Sequence, residues 1–235
     1  MIWRSVICFS LLLPAVRGAT VSGTVEITNS REAAVRKHNY TGVILWLGPI
    51  GQPAPALPPA KRVQMLQRDK RFTPHVIAIT QGSTVDFPNF DPIFHNAFSN
   101  FSGQPFDVGL YPPGKNRSVT FRTSGIVRVF CNIHPTMSAI IAVVDSPWFV
   151  VTPASGKFAI EGVPPGEYQL HIFHERAVPE NLQALERRIS VPANGLTLPL
   201  ISISETGFIP APHLNKYGQD YPPVTEGDKY PGAPK

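Results

Sequence analysis

Cys131-Asn132-Ile133-His134-Pro135-Thr136-Met137 is the stretch on which the reading of this 235-residue chain turns. It presents a thiol, an imidazole and a thioether, with two residues between successive donors. A second imidazole, His95, stands upstream in Phe94-His95-Asn96. A thiolate and two imidazoles with a weak axial thioether are the donor set of a trigonal copper site. Methionine is a poor zinc ligand, so the same set disfavours zinc. A Cys/His nucleophile pair is the enzymatic rival, but it leaves His95 and Met137 without a role. Residues 126–130 (IVRVF) run straight into Cys131, and residues 138–144 (SAIIAVV) follow as an apolar strand. The loop between them must fold back for its three donors to converge, and Pro135 stiffens it. His95 has to come from a different strand edge, which a β-sandwich supplies by bringing sequence-distant strands together. Asn96 is placed to hydrogen-bond across to the Cys131 loop, an orienting role, although it also suits an ordinary turn.

The N-terminus sharpens the status of Cys131. Arg4 precedes an apolar run over residues 5–13, Pro14 breaks it, and Val16-Arg17-Gly18 provides a cleavage region. Residues 1–18 therefore read as an export signal, too short to span a bilayer. The mature chain is expected to be periplasmic or secreted, to start at Ala19 or Thr20, and to lack Cys8. Cys131 is then a solitary thiol with no partner for an internal disulfide. Its plain alternative is a small buried hydrophobe. Losing Arg4 and Arg17 lowers the formal charge by two from +5. No clustered Lys/Arg stripe remains to suggest a nucleic-acid partner. Apolar content of 43% against 16% charged allows a packed core, and 26 prolines with 18 glycines suit many short strands.

Along the chain, residues 20–27 and 40–47 read as strands, with a polar loop or short helix over 28–39. Residues 51–71 begin Pro/Ala-rich and read as a linker. Further strands are expected over 72–80, 83–87, 116–122, 126–130 and 138–144, with 98–114 mostly irregular. Residues 145–147 look like a boundary, followed by more strands and one helical turn over 179–186. The stretch 206–235, with six prolines and little apolar periodicity, reads as an extended or disordered tail.

The run Gly82-Ser83-Thr84-Val85-Asp86-Phe87-Pro88-Asn89, then His95-Asn96, then Cys131 through Met137 resembles the cupredoxins, the blue copper proteins. The Cys-x-x-His-Pro-x-Met loop is similar to that of amicyanin. The resemblance covers residues 72–144, about a third of the chain. It implies that His95, Cys131, His134 and Met137 ligate a Cu(I)/Cu(II) ion, with Asn96 and Pro135 shaping their surroundings. It also implies a one-electron carrier serving a redox partner protein, not an enzyme, with His134 in an apolar patch. The long 98–114 segment and the flanking strands depart from the family pattern.

A weaker resemblance lies in the flanks. Residues 155–170 (SGKFAIEGVPPGEYQL) resemble the second half of a carboxypeptidase-regulatory-like or transthyretin-like sandwich, and residues 20–47 its opening strands. The expected fold is thus all-β: a cupredoxin-like Greek-key sandwich over 72–145, inserted in a small transthyretin-like sandwich built from 19–50 and 146–205. The alternative gives the N-terminal strands to the cupredoxin-like unit itself. The whole arrangement is similar to exported proteins labelled methylamine-utilisation-like. Among other histidines, His75 is a candidate additional metal contact, whereas His171 and His174, three apart on a strand, point to opposite faces. Two further functional readings stand beside electron transfer: a copper carrier or storage protein without redox turnover, and a structural or adhesive β-module.

Overall fold

Period-two alternation in strand Ala19–Thr28 places Ala19, Val21, Val25 and Ile27 on one buried face. In the computed structural model, which describes residues 18–210 and 213–221, this strand pairs antiparallel with Lys157–Val163. It also pairs parallel with Leu196–Thr197 and Ile201–Ser204. A second sheet is ordered Phe149–Val151, Ile44–Pro49, Gly166–Phe173, Arg187–Val191, all antiparallel. The two sheets close on a core that includes Val21, Val25, Leu45, Leu47, Ile160, Tyr168 and Leu170. Strands from both ends of the chain therefore pair with one another, and the segment between Pro49 and Phe149 forms its own unit.

That unit is a β-sandwich of two sheets. A mixed sheet runs Val76–Thr80, Ser138–Val144, Gly125–Phe130, Phe98–Ser99, Phe106–Asp107. A second runs Ser118–Thr120, Thr84–Asp86, Arg62–Gln64. The core between them holds Met65, Val85, Phe87, Phe121, Val127, Val129 and Ile141. Strand Ser138–Val144 is apolar from Ala139 onward because both of its faces are buried there. Ala139, Ile141 and Val143 point into this core, while Ile140, Ala142 and Val144 face the other way and pack with Ile44 of the flanking sandwich.

Several sequence expectations differ from what forms. The expected linker 51–71 contains strands Arg62–Gln64 and Leu66–Arg68, because Val63, Met65 and Gln67 alternate inward between more exposed neighbours and the last two are fully buried. The single strand expected over 72–80 is split at Pro74 into Arg71–Thr73 and Val76–Thr80. Short strands Phe98–Ser99 and Phe106–Asp107 occupy part of the expected irregular stretch, extending the sheet beside Phe130. The polar segments carry the short helices Ala33–Arg36 and Pro179–Gln183. The expected export signal falls, Gly18 apart, outside the described residues. Among the described residues, no helix is long and apolar enough to cross a membrane.

One ion pair crosses between the two units. His75 Nε2 lies 2.8 and 2.9 Å from the Glu175 oxygens, and His75 Nδ1 lies 3.0 Å from the Ser138 carbonyl. The Glu175 hydrogen bond raises the His75 pKa above 6.5 against the opposing effect of burial. Burial pushes the Glu175 carboxyl up, but His75, helped by His174 and Arg128, outweighs it and holds the pKa below 4.5. His75 thus adds stability that is complete below 6.5 and is lost as pH rises through its raised folded value. Glu175 adds stability present above 4.5 and lost as pH falls through its lowered folded value. Their joint contribution peaks between these limits. His75→Gln is expected to lower the thermal midpoint clearly at about pH 5.5 and little at about pH 9, read by circular dichroism melts.

Candidate metal centre

Strand Gly125–Phe130 ends at Cys131 and strand Ser138–Val144 starts after Met137, so the seven residues between them form a hairpin loop across two central strands. Phe130 pairs with Ser138, fixing the register. Inside the loop, the Cys131 N–H donates to the Met137 carbonyl at 3.1 Å and the Met137 N–H to the His134 carbonyl at 3.0 Å. The chain thereby folds back on itself with Cys131 and Met137 at its two feet and His134 at the bend. His95 arrives from outside the hairpin, on a bridge in which its N–H and carbonyl exchange hydrogen bonds with Tyr111 at 3.1 and 2.8 Å.

The result is a cluster. Ligating atoms of His95, Cys131 and His134 all lie within 4.8 Å of one another. Cys131 Sγ is 3.8 Å from His95 Nδ1 and 3.6 Å from His134 Nδ1. The two rings are 4.7 Å apart at an interplanar angle of 60°. His95, Cys131 and Met137 are 0% exposed and His134 is 8% exposed. Met137 shares the apolar core with Cys131. Pro135 is half-buried at the bend, as is Phe94 beside His95.

A polar frame holds the donors. Asp91 accepts the His95 Nε2–H at 2.7 Å. A carboxylate only accepts, so the ring hydrogen sits on Nε2 and Nδ1 turns its lone pair toward Cys131. Asp91 also accepts the backbone N–H groups of Asp69 and Lys70 at 2.6 and 2.9 Å. Those two residues form the left-handed turn between strands Leu66–Arg68 and Arg71–Thr73, with φ of 54° and 53°. One carboxylate thus ties a hairpin tip to a ring of the cluster. Asn96 Oδ1 accepts the Asn132 N–H at 2.5 Å, while its carbonyl accepts from Gln67 Nε2 at 3.0 Å. Gln67 in turn receives the Tyr111 hydroxyl at 2.7 Å.

The electrostatics favour neutral donors awaiting a cation. Burial lowers the His95 pKa despite Asp91. Burial, followed by the nearby His95 and Lys70 charges, lowers that of His134 to about 4. Burial raises the Cys131 thiol, although backbone N–H groups of Asn96, Ile133 and His134 partly offset it. Burial raises the Asp91 carboxyl too, but the Lys70 N–H, the His95 ring and the Asp69 N–H outweigh it and hold it ionised. Two unprotonated imidazoles face a thiol whose ionised form three N–H groups already favour. A thiol and two imidazoles brought this close are a donor set that could hold a soft cation, and the set suits copper.

His75 is not part of this arrangement. Both its ring nitrogens are engaged, one by Ser138 and one by Glu175, at the contact between the two units. His171 stacks on Trp46 and pairs with Glu186, whereas His174 pairs with Glu205, so those two share no partner. Asp91 and Gln67 went unnoticed in the sequence; Asp91 precedes His95 by four residues in Asp91-Pro92-Ile93-Phe94-His95, the one local signal available.

No protein-family model matches the chain, and no curated protein does. Among solved structures it is similar to a purple cupredoxin from Nitrosopumilus maritimus, at 21% identity over 35% of this chain and 99% of that one, with a TM-score of 0.32. It is similar to amicyanin from Paracoccus versutus at 21% identity, over 40% of this chain and 86% of that one, with a TM-score of 0.33. A copper-containing nitrite reductase from Thermus scotoductus aligns at 26% identity over 51% of this chain but 28% of that one, with a TM-score of 0.34.

Asp91→Asn removes the carboxylate charge that faces His95 Nε2 and weakens the tie to the Asp69–Lys70 turn. It is expected to reduce copper affinity about 10- to 100-fold, the usual cost of losing a partner that orients a ligand. Competition with a chromogenic chelator measures this, and unchanged affinity would show that His95 needs no such anchor.

Proposed function

We propose that this chain binds one copper ion through His95, Cys131, His134 and Met137 and carries single electrons between redox partner proteins outside the cytoplasm. The observation that carries this reading is the convergence of the His95, Cys131 and His134 ligating atoms within 4.8 Å of one another in the protein interior. Bound there, copper supplies one-electron chemistry by alternating between Cu(I) and Cu(II). Every other part of the task falls to the protein.

Cys131 would be the thiolate donor, its ionised form favoured by the backbone N–H groups of Asn96, Ile133 and His134 against the effect of burial. His95 is held in one tautomer by Asp91. Asn96 pins the loop at Asn132. The packed residues around the cluster exclude water and resist movement, so the donors keep one arrangement in both oxidation states. His134 is the one proposed ligand with any exposure, and it is the natural edge for electrons to enter and leave. The partner is then a protein whose own redox centre can be brought close to that edge. Export rests on residues 1–18, and the periplasm or the exterior is the proposed location.

Full-length mature protein loaded with one equivalent of Cu(II) is expected to show an intense visible thiolate-to-copper band and a reversible one-electron couple. Cys131→Ser should abolish the band, and Met137→Leu should keep it while shifting the reduction potential. A colourless 1:1 complex would contradict the ligand assignment. A blue site without a reversible couple would favour a copper carrier over an electron carrier.

A further inference from the structure

Residues 213–221, expected to belong to an extended tail, are instead folded against the hairpin that carries Cys131. Asn215 organises them: its side chain accepts the N–H groups of Tyr217 and Gln219 at 2.9 and 3.0 Å, and its own N–H donates to the Gln219 carbonyl at 2.8 Å. The segment is therefore a compact loop with its own hydrogen bonds. It reaches the ligand hairpin at three places. The Tyr221 hydroxyl donates to the Cys131 carbonyl at 2.7 Å. The Lys216 N–H donates to Asn132 Oδ1 at 2.9 Å. The His213 ring stacks on Phe130, the residue before Cys131, with centroids 4.1 Å apart.

A fourth contact closes a ring. Lys216 Nζ lies 2.6 Å from Asp107 Oδ2, and Asp107 Oδ1 accepts from Asn96 Nδ2 at 3.1 Å. Asn96 then receives the Asn132 N–H, and Asn132 receives the Lys216 N–H. The loop is thus joined through two routes to both ligand-bearing segments, the one with His95 and the one with Cys131. Most telling is the peptide unit between Cys131 and Asn132. Its carbonyl is held by Tyr221 and its N–H by Asn96, so neither end can rotate without losing a bond. With that rigid unit held, ψ of Cys131 and φ of Asn132 are fixed together, and with them the path the chain takes from the cysteine to His134.

We propose that residues 213–221 form a strap that sets the position of the cysteine ligand, with Tyr221 and Lys216 as its positioning residues. The strap's purpose rests on the copper reading, but its geometry does not, and the two are tested separately. Amide hydrogen exchange across residues 131–137 is compared in metal-free full-length protein, Tyr221→Phe, Lys216→Ala and a chain ending at residue 210. Tyr221→Phe is expected to speed exchange in this loop about fivefold, the factor for one ordinary hydrogen bond, and truncation to speed it further, while strand Ser138–Val144 keeps its protection. In copper-loaded protein, Tyr221→Phe should shift the reduction potential without loss of the visible band. Unchanged exchange at 131–137 in both Tyr221→Phe and the truncated chain would overturn the proposal. So would an equal rise throughout Ser138–Val144, which would mark general destabilisation. Faster loop exchange in a protein that never turns blue would uphold the strap and defeat the copper reading instead.

Discussion

Strand Ser138–Val144 has no solvent face, and that constraint governs the rest of the molecule. Its odd-numbered residues complete the core beneath the metal cluster, and its even-numbered ones form the contact with the flanking sandwich. Removing a buried isoleucine from either face typically costs about 2–5 kcal/mol, a large fraction of a domain's stability. A strand fixed on both sides cannot slip, because a one-residue shift would exchange its two faces. Its antiparallel neighbour Gly125–Phe130 inherits that register, and so does the hairpin loop between them. The cysteine and methionine at the feet of that loop are therefore placed by packing outside the site.

Within the site, burial and charge work against each other in an instructive way. Burial alone would leave a protonated thiol and two neutral rings, an inert arrangement. The protein adds one ionised carboxylate, Asp91, which reaches only the outer nitrogen of His95 and is itself held by two backbone N–H groups. Backbone N–H groups of Asn96, Ile133 and His134 favour the ionised form of the sulfur. The N–H groups offset part of the burial that keeps the thiol protonated, and Asp91 fixes the orientation of the His95 ring. Preformed donors of this kind also limit rearrangement when the charge of a bound ion changes.

Much of this was legible in the chain, and the reasons for the remainder are physical. Alternation in residues 20–27, and the unbroken apolar run at 138–144, reported one-sided and two-sided burial directly. The compact spacing from Cys131 to Met137 between two strand patterns pointed to a folded-back loop, and the cluster of His95, Cys131 and His134 forms there. Gln67 and Asp91 act through contacts with residues distant in sequence or in turn geometry that composition does not reveal. Strand Arg62–Gln64 was hidden because three residues give too short a pattern beside a proline-rich stretch. Residues 213–221 carry polar and aromatic side chains without periodicity, since their order comes from Asn215 and from the hairpin they rest on. His75 was a candidate additional metal contact by residue type alone, and its partner Glu175 lies in the other unit.

His95, Cys131 and His134 are proposed to bind a single copper ion through two ring nitrogens and one thiolate, with Met137 as a weak, more distant fourth donor. Copper K-edge X-ray absorption of the loaded full-length protein measures that most directly. The account predicts a first shell of one short sulfur and two nitrogens in both oxidation states, with little change in distance between them. A shell of nitrogen and oxygen alone, or one that reorganises on reduction, would contradict it.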